Sequence, residues 1–153
     1  GMYVFVLSGY RSVWDQTINF QTAVRQKMYS GYSESAATEA VRQIIAVPGT
    51  SEHHLGLAVD LLGDAAIEWL TEHCWEYGFI VRYTQDKYPI TGIIDEPWHF
   101  RYVGTEVSLA MQDSGLCLEE YLGAEAVNFE KVKALYGDAL YQEVIYGKEE
   151  TKD

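Results

Sequence analysis

Apolar positions along this chain change their period several times, and each change marks an element. Tyr3 to Leu7 is a continuous β-branched, aromatic and apolar run, which predicts a buried strand ending at the Ser8-Gly9 turn. The spacing then becomes helical. Ser12 with Asp15 three residues on forms a capping-box-like start, and Trp14, Ile18, Val24 and Met28 follow at broadly helical intervals until Gly31. A second helix, over about 34–45, carries Ala37, Val41, Ile44 and Ile45 on one side and stops before Pro48-Gly49. From Gly56 to Leu62 the period drops to two, with Leu57, Val59 and Leu61 on one face and Ala58, Asp60 and Leu62 on the other. Asp60 thus falls among apolar neighbours.

Ala65 to Tyr77 reads as a helix with Ile67, Leu70, Cys74 and Trp75 as its stripe. Gly78 ends it before a strand from Phe79 to Tyr83, and a loop runs over 85–95. Trp98 to Val103 is a further strand, followed by helices over about 105–112 and 118–122. Beyond Gly123 the sequence is acidic and helix-prone, with Phe129, Val132, Leu135 and Tyr136 at helical spacing and a frayed end from Lys148. The predicted fold is α+β, a small mainly antiparallel sheet with helices packed on it. Residues 1–123 are expected to form the functional domain and residues 124–153 an acidic helical extension of it.

Composition narrows the classes. At 153 residues, 48% apolar and 22% charged, the chain suits one globular domain. A formal net charge of -12 repels nucleic-acid backbones and anionic membrane surfaces, so neither is an expected partner. No apolar run approaches the roughly 20 residues needed to span a bilayer. Gly1 before Met2 reads as a scar from a cleaved tag, and the immediate entry into a strand suggests that an N-terminal part, with any signal or anchor, has been removed. Cys74 and Cys117 are far apart in sequence and predict free buried thiols.

Three of the four histidines stand in two short segments, Ser51 to Asp60 and Glu96-Pro97-Trp98-His99. A catalytic zinc centre uses about three protein ligands and keeps a position open for water, whose pKa falls to about 7. His53, Asp60 and His99 supply such a set, and Glu96 is the candidate carboxylate to take a proton and pass it to a leaving amine. Parity constrains the backbone. Seven residues apart on one straight strand, His53 and Asp60 would face opposite ways, so the chain must turn between them, and Gly56 is best able to allow it. Glu96 and His99 would also diverge on a regular strand, which makes Pro97 the point where loop becomes strand. His99 then shares its side of the sheet with Arg101 and Val103. On residue chemistry alone His54 competes with His53, and His73 beside Glu72 reads as a solvated helix residue.

The pattern Ser-x-His-x-x-Gly-x-Ala-x-Asp followed by Glu-x-Trp-His is met by Ser51, His53, Gly56, Ala58, Asp60, Glu96, Trp98 and His99. With it the chain resembles the zinc D-alanyl-D-alanine carboxypeptidases of the VanY type, which share a metal-site fold with hedgehog signalling domains. The resemblance runs from about Ser8 to Leu122. It implies a zinc ion (Zn2+) on His53, Asp60 and His99, with Glu96 as general base, and so prefers His53 to His54. An upstream Ser-Gly-Tyr-Arg-Ser segment, here Ser8 to Ser12, makes Arg11 the expected stabiliser of the oxyanion. Without the resemblance Arg11 reads equally well as a surface ion-pair residue. Ser51 and Gln16 are implied as substrate-binding groups, and Trp98 is expected to pack behind Glu96 and His99.

The implied reaction is release of a terminal D-alanine from a peptidoglycan stem peptide, outside the cytoplasmic membrane of a bacterium. An L,D-carboxypeptidase or a D-Ala-D-Ala dipeptidase would use the same metal motif. From another class, a non-catalytic cell-wall-binding module could keep the zinc site without turnover.

Overall fold

The computed structural model describes residues 3–124 and Ala134. The acidic helical extension expected after Gly123 lies almost wholly outside the described residues. Within them the chain forms two compact units, residues 3–11 with 52–124 and residues 12–51.

The first unit is built on a four-stranded sheet, β1 (Phe5–Ser8), β2 (Ala58–Leu62), β3 (Phe79–Val81) and β4 (His99–Tyr102), in the order β1-β2-β4-β3 with every pairing antiparallel. This is the α+β arrangement that the hydrophobic pattern predicts. Helices α3 (Asp64–His73) and α5 (Thr105–Ser114) adjoin β2 and β3, α4 (Tyr88–Thr91) interrupts the expected 85–95 loop, and α6 (Leu118–Leu122) follows α5. The helix predicted over 65–77 changes character at Cys74, where the last turn tightens to 3-10 geometry through Tyr77. Gly78 then takes φ +84°, and a Cβ there would meet the Tyr102 ring at 2.8 Å and the Gly104 carbonyl carbon at 3.1 Å. Only glycine allows both the left-handed turn and the close approach that lays β3 beside β4. Buried Ala58, Ala66, Cys74, Ile80, Phe100 and Met111 make the interior of this unit, and the Ser108 hydroxyl donates to the Trp75 carbonyl at 2.7 Å. Both cysteines are buried free thiols.

The expected buried first strand is corrected. Tyr3, Val4, Phe5, Val6 and Leu7 are all at least half exposed, because β1 is an edge strand, paired on one side only.

The second unit pairs α1 (Val13–Tyr29) with α2 (Glu34–Val41). The Ser12 hydroxyl accepts from the Asp15 N–H at 3.1 Å and caps α1 as the sequence predicts. The phase of the helix differs from the expected stripe: Gln16, Phe20 and Val24 face inward, whereas Trp14 and Ile18 are exposed. Spacing of four recurs in both readings, and packing of Phe20 and Val24 with Ala37, Val41 and Val47 selects the face. Among the described residues no helix is long and apolar enough to cross a membrane.

Candidate metal centre

Register on the sheet does most of the assembly. Asp60 on β2 lies directly opposite His99 on β4, and Ala58 opposite Arg101, so Asp60, His99 and Arg101 project from one face. Glu96 precedes the strand, its N–H donating to the Tyr83 carbonyl at 3.0 Å, and the His99 N–H donates to the Glu96 carbonyl at 3.0 Å. Pro97 therefore sits where loop becomes strand, as parity requires. His53 arrives from a 3-10 turn, Glu52–Leu55, and Gly56 with φ +67° turns the chain into β2. Expected and observed geometry agree on the loop placement of His53 and Glu96 and the strand placement of Asp60 and His99.

His53, Asp60 and His99 are all buried and bring three ligand atoms within 4.8 Å of one another. His53 has its orientation set by the backbone. His53 Nδ1 lies 2.7 Å from the Gly9 carbonyl oxygen and donates to it, so the neutral ring keeps its lone pair on Nε2. That nitrogen is 3.2 Å from Asp60 Oδ2, and His99 Nδ1 is 2.9 Å from Asp60 Oδ1. The His99 contact is close yet lacks the alignment of a hydrogen bond, and buried Asp60 Oδ1 has no hydrogen-bond partner. Two imidazole nitrogens converging on a carboxylate with an orphaned oxygen are the donor set of a divalent cation, and two histidines with a carboxylate suit zinc. The residues present fit the metal.

His54 is directed elsewhere: its Nδ1 donates to the Arg11 carbonyl at 2.8 Å. It stands outside the converging group. His73 is half-buried, pairs with Glu76 rather than Glu72, and stacks on Trp69. Trp98, expected to pack behind Glu96 and His99, is 38% exposed.

Charge in the cluster is unevenly held. Burial works to raise the Asp60 carboxyl, and the His53 and His99 rings hold it well below the usual carboxylate range. Burial likewise works against a charged His99, but Asp60 and Glu52 bring it up to about 9. Burial pushes the Glu96 carboxyl up to about 7, opposed by His99 and Arg11 and aided by Asp60 and Asp95. Glu96 Oε2 lies 3.7 Å from His99 Nδ1. A carboxyl poised near neutrality beside three metal donors can accept a proton and give it back. Arg11 reaches in from the segment after β1, its Nη2 donating to Ser8 Oγ at 2.7 Å and to Asp60 Oδ2 at 3.3 Å.

Ser51 and Gln16 belong to the other unit. Gln16 is fully buried there and its Nε2 donates to the Ala46 carbonyl at 2.6 Å, while Ser51 is 6% exposed. Sequence reasoning missed Glu52, Arg82 and Tyr83 around the cluster. Tyr83 is buried with its ring centroid 5.1 Å from that of His99. The only signal for Glu52 was its place between Ser51 and His53.

A small antiparallel α+β unit with two histidines and an aspartate gathered on one sheet face defines a metal-site domain of the kind used by zinc hydrolases. The chain belongs to the VanY D-alanyl-D-alanine carboxypeptidase family, whose model matches residues 1–105. A D-alanyl-D-alanine carboxypeptidase of Enterococcus faecalis is 44% identical over 132 residues, covering 82% of this chain and 49% of the relative. Among solved structures, VanYB in complex with D-alanine-D-alanine superposes with a TM-score of 0.78 at 44% identity, over 80% of this chain and 72% of that one. A mutant of the vancomycin resistance D,D-pentapeptidase VanY in complex with Zn(II) gives 0.76 at 45% identity, with coverage of 80% and 72%. The chain spans about half the length of the curated relatives it matches.

Proposed function

We propose that this chain is a zinc-dependent D,D-carboxypeptidase domain that removes the terminal D-alanine from peptidoglycan stem peptides, outside the cytoplasmic membrane of a bacterium. The observation that carries this reading is the convergence of His53, Asp60 and His99 beside Glu96 in a member of the VanY family. His53 Nε2, the Asp60 carboxylate and His99 Nδ1 would hold the ion, and residues 1–123 are the proposed catalytic domain. Bound zinc supplies Lewis-acid polarisation of the scissile carbonyl and lowers the pKa of water to about 7. Glu96 Oε2 takes the proton of the attacking water and delivers it to the departing D-alanine nitrogen. The Arg11 guanidinium, aligned by Ser8 and Asp60, meets the negative charge that develops on the carbonyl oxygen. The substrate roles implied for Ser51 and Gln16 rest on the resemblance alone.

The test is metal content together with D-alanine release from a pentapeptide stem ending in D-Ala-D-Ala, with the tetrapeptide stem and free D-Ala-D-Ala in parallel. The expected result is one zinc per chain and the fastest release from the pentapeptide. Cleavage of the tetrapeptide only would replace the assignment with an L,D-carboxypeptidase. A preference for the free dipeptide would indicate a dipeptidase, and zinc without any hydrolysis a binding module.

Two further outcomes are expected. Arg11→Ala should lower kcat by about 10²–10³-fold, the range for loss of one oxyanion donor, with a smaller change in KM; equal kcat in steady-state assays would remove Arg11 from this role. Zinc binding should also release protons. His99, brought up to about 9, carries a proton on both ring nitrogens at neutral pH in the metal-free protein, and Nδ1 must lose one to bind the ion. The metal-free form then binds more protons than the loaded form, so affinity rises with pH, by about tenfold per unit per proton, up to the pKa of His99. Calorimetric titration of zinc in buffers of different ionisation enthalpy measures the release, and identical heats in all buffers would contradict it.

A further inference from the structure

Glu52 lies beside His53 in sequence, yet its carboxylate is turned toward His99 and Arg101 of β4. Its side chain is 12% exposed, and its two oxygens have separate surroundings. Oε1 accepts from Arg82 Nε at 2.8 Å and sits 3.1 Å from Arg101 Nη1. Oε2 faces His99 Nε2 at 3.7 Å. Both Glu52 Oε2 and His99 Nε2 are buried and have no hydrogen-bond partner. An unsatisfied donor and an unsatisfied acceptor, buried and facing each other, are complementary, and an approach of about 0.8 Å gives an ordinary N–H···O bond of about 2.9 Å. On the far side of the network, Arg82 is braced by Glu119 of α6 through Nη1 at 3.0 Å and Nη2 at 2.5 Å. Arg82, held by Glu119, thus anchors Glu52 from behind.

We infer that Glu52 is the positioning residue of His99: its Oε2 accepts the Nε2–H of the ring, so that Nδ1 is the nitrogen left bare and aimed at the metal. Histidine ligands commonly donate their second N–H to a carboxylate, which selects the tautomer and fixes the ring plane. His53 uses the Gly9 carbonyl to the same end with the opposite nitrogen. The pair of histidines therefore presents Nε2 from the turn and Nδ1 from the strand. This rests on the metal-centre reading above and adds to it a residue outside the ligand set.

Glu52→Gln separates the two oxygens' tasks. The amide oxygen goes to the cationic arginines, and the amide N–H groups are turned on the Nε2–H of His99, donor against donor. Zinc affinity, measured by competition with a chromophoric chelator, is expected to weaken by about 10–100-fold, and the visible spectrum of the cobalt(II)-loaded variant is expected to change. Arg101→Gln, which removes a partner of Oε1 alone, should stay within about threefold of the parent. Parent-like zinc affinity and cobalt spectrum in folded Glu52→Gln overturn the inference, as does equal weakening in Arg101→Gln, which would place the effect in the arginine network. If Glu52→Gln does not fold, two-bond ¹H–¹⁵N spectra of the zinc-loaded parent decide: a proton on Nε2 of His99 supports the inference, and a proton on Nδ1 refutes it. A parent chain that takes up no zinc would defeat the metal reading itself, whereas zinc uptake with an indifferent Glu52 defeats only this one.

Discussion

Glu96→Gln is expected to lower D-alanine release by about 10²–10⁴-fold, the usual worth of a positioned general base, while the protein still binds one zinc. The amide keeps the size of the side chain and cannot take a proton. Glu96 stands 3.7 Å from His99 Nδ1 and outside the converging donor group, so the three ligand atoms keep their places. Its burial also gives the substitution a mild effect on folding, since a neutral side chain replaces a carboxyl that burial already pushes up to about 7. The decisive pairing is zinc content with turnover on the same sample. Turnover within tenfold of the parent would assign the proton transfer to another group, and loss of zinc would make Glu96 part of the metal-binding set instead.

Asp60→Asn is expected to cost zinc as well as turnover, because it removes a ligand and disturbs three partners together. The charged carboxylate faces His53 Nε2, His99 Nδ1 and Arg11 Nη2 at 3.2, 2.9 and 3.3 Å. An asparagine amide offers one neutral oxygen and turns N–H groups toward a site where nitrogen lone pairs should converge on a cation. Stoichiometric zinc should be lost at micromolar concentration. Metal polarisation is worth several kcal/mol, and about 1.36 kcal/mol is a factor of ten in rate, so turnover should fall on the order of 10³-fold or more. Metal analysis after gel filtration, followed by the release assay with and without added zinc, checks both halves. Full zinc content with parent-like turnover would remove Asp60 from the ligand set.

Both variants depend on side chains that were legible before any fold was known. His53, Asp60, Glu96 and His99 could be picked out because few reactions use two histidines and two carboxylates in such short segments, and because strand parity demanded turns at Gly56 and Pro97 that the backbone indeed makes. Glu52 was not legible. Acidic residues are common at loop starts, and nothing in a linear string distinguishes one that faces solvent from one that faces a ring on another strand. Arg82 read as one more residue of a strand. Its bond to Glu119 spans 37 positions and exists only once α6 is laid near β3.

The same division holds for the packing. Helical period in α1 was readable, yet Gln16 faces inward and Trp14 outward, since the local pattern allowed two faces and Phe20 with Val24 settled it by meeting α2. Tyr3 to Leu7 had the composition of a buried strand, but edge position, a property of sheet order, leaves it exposed. By itself the sequence determined the elements, the donor types and the places where the chain must turn, because these depend on neighbours within a few residues. Tertiary structure alone decided which oxygen of Glu52 meets His99 and which face of each element is buried, because those depend on strand register and on contacts between residues far apart along the chain.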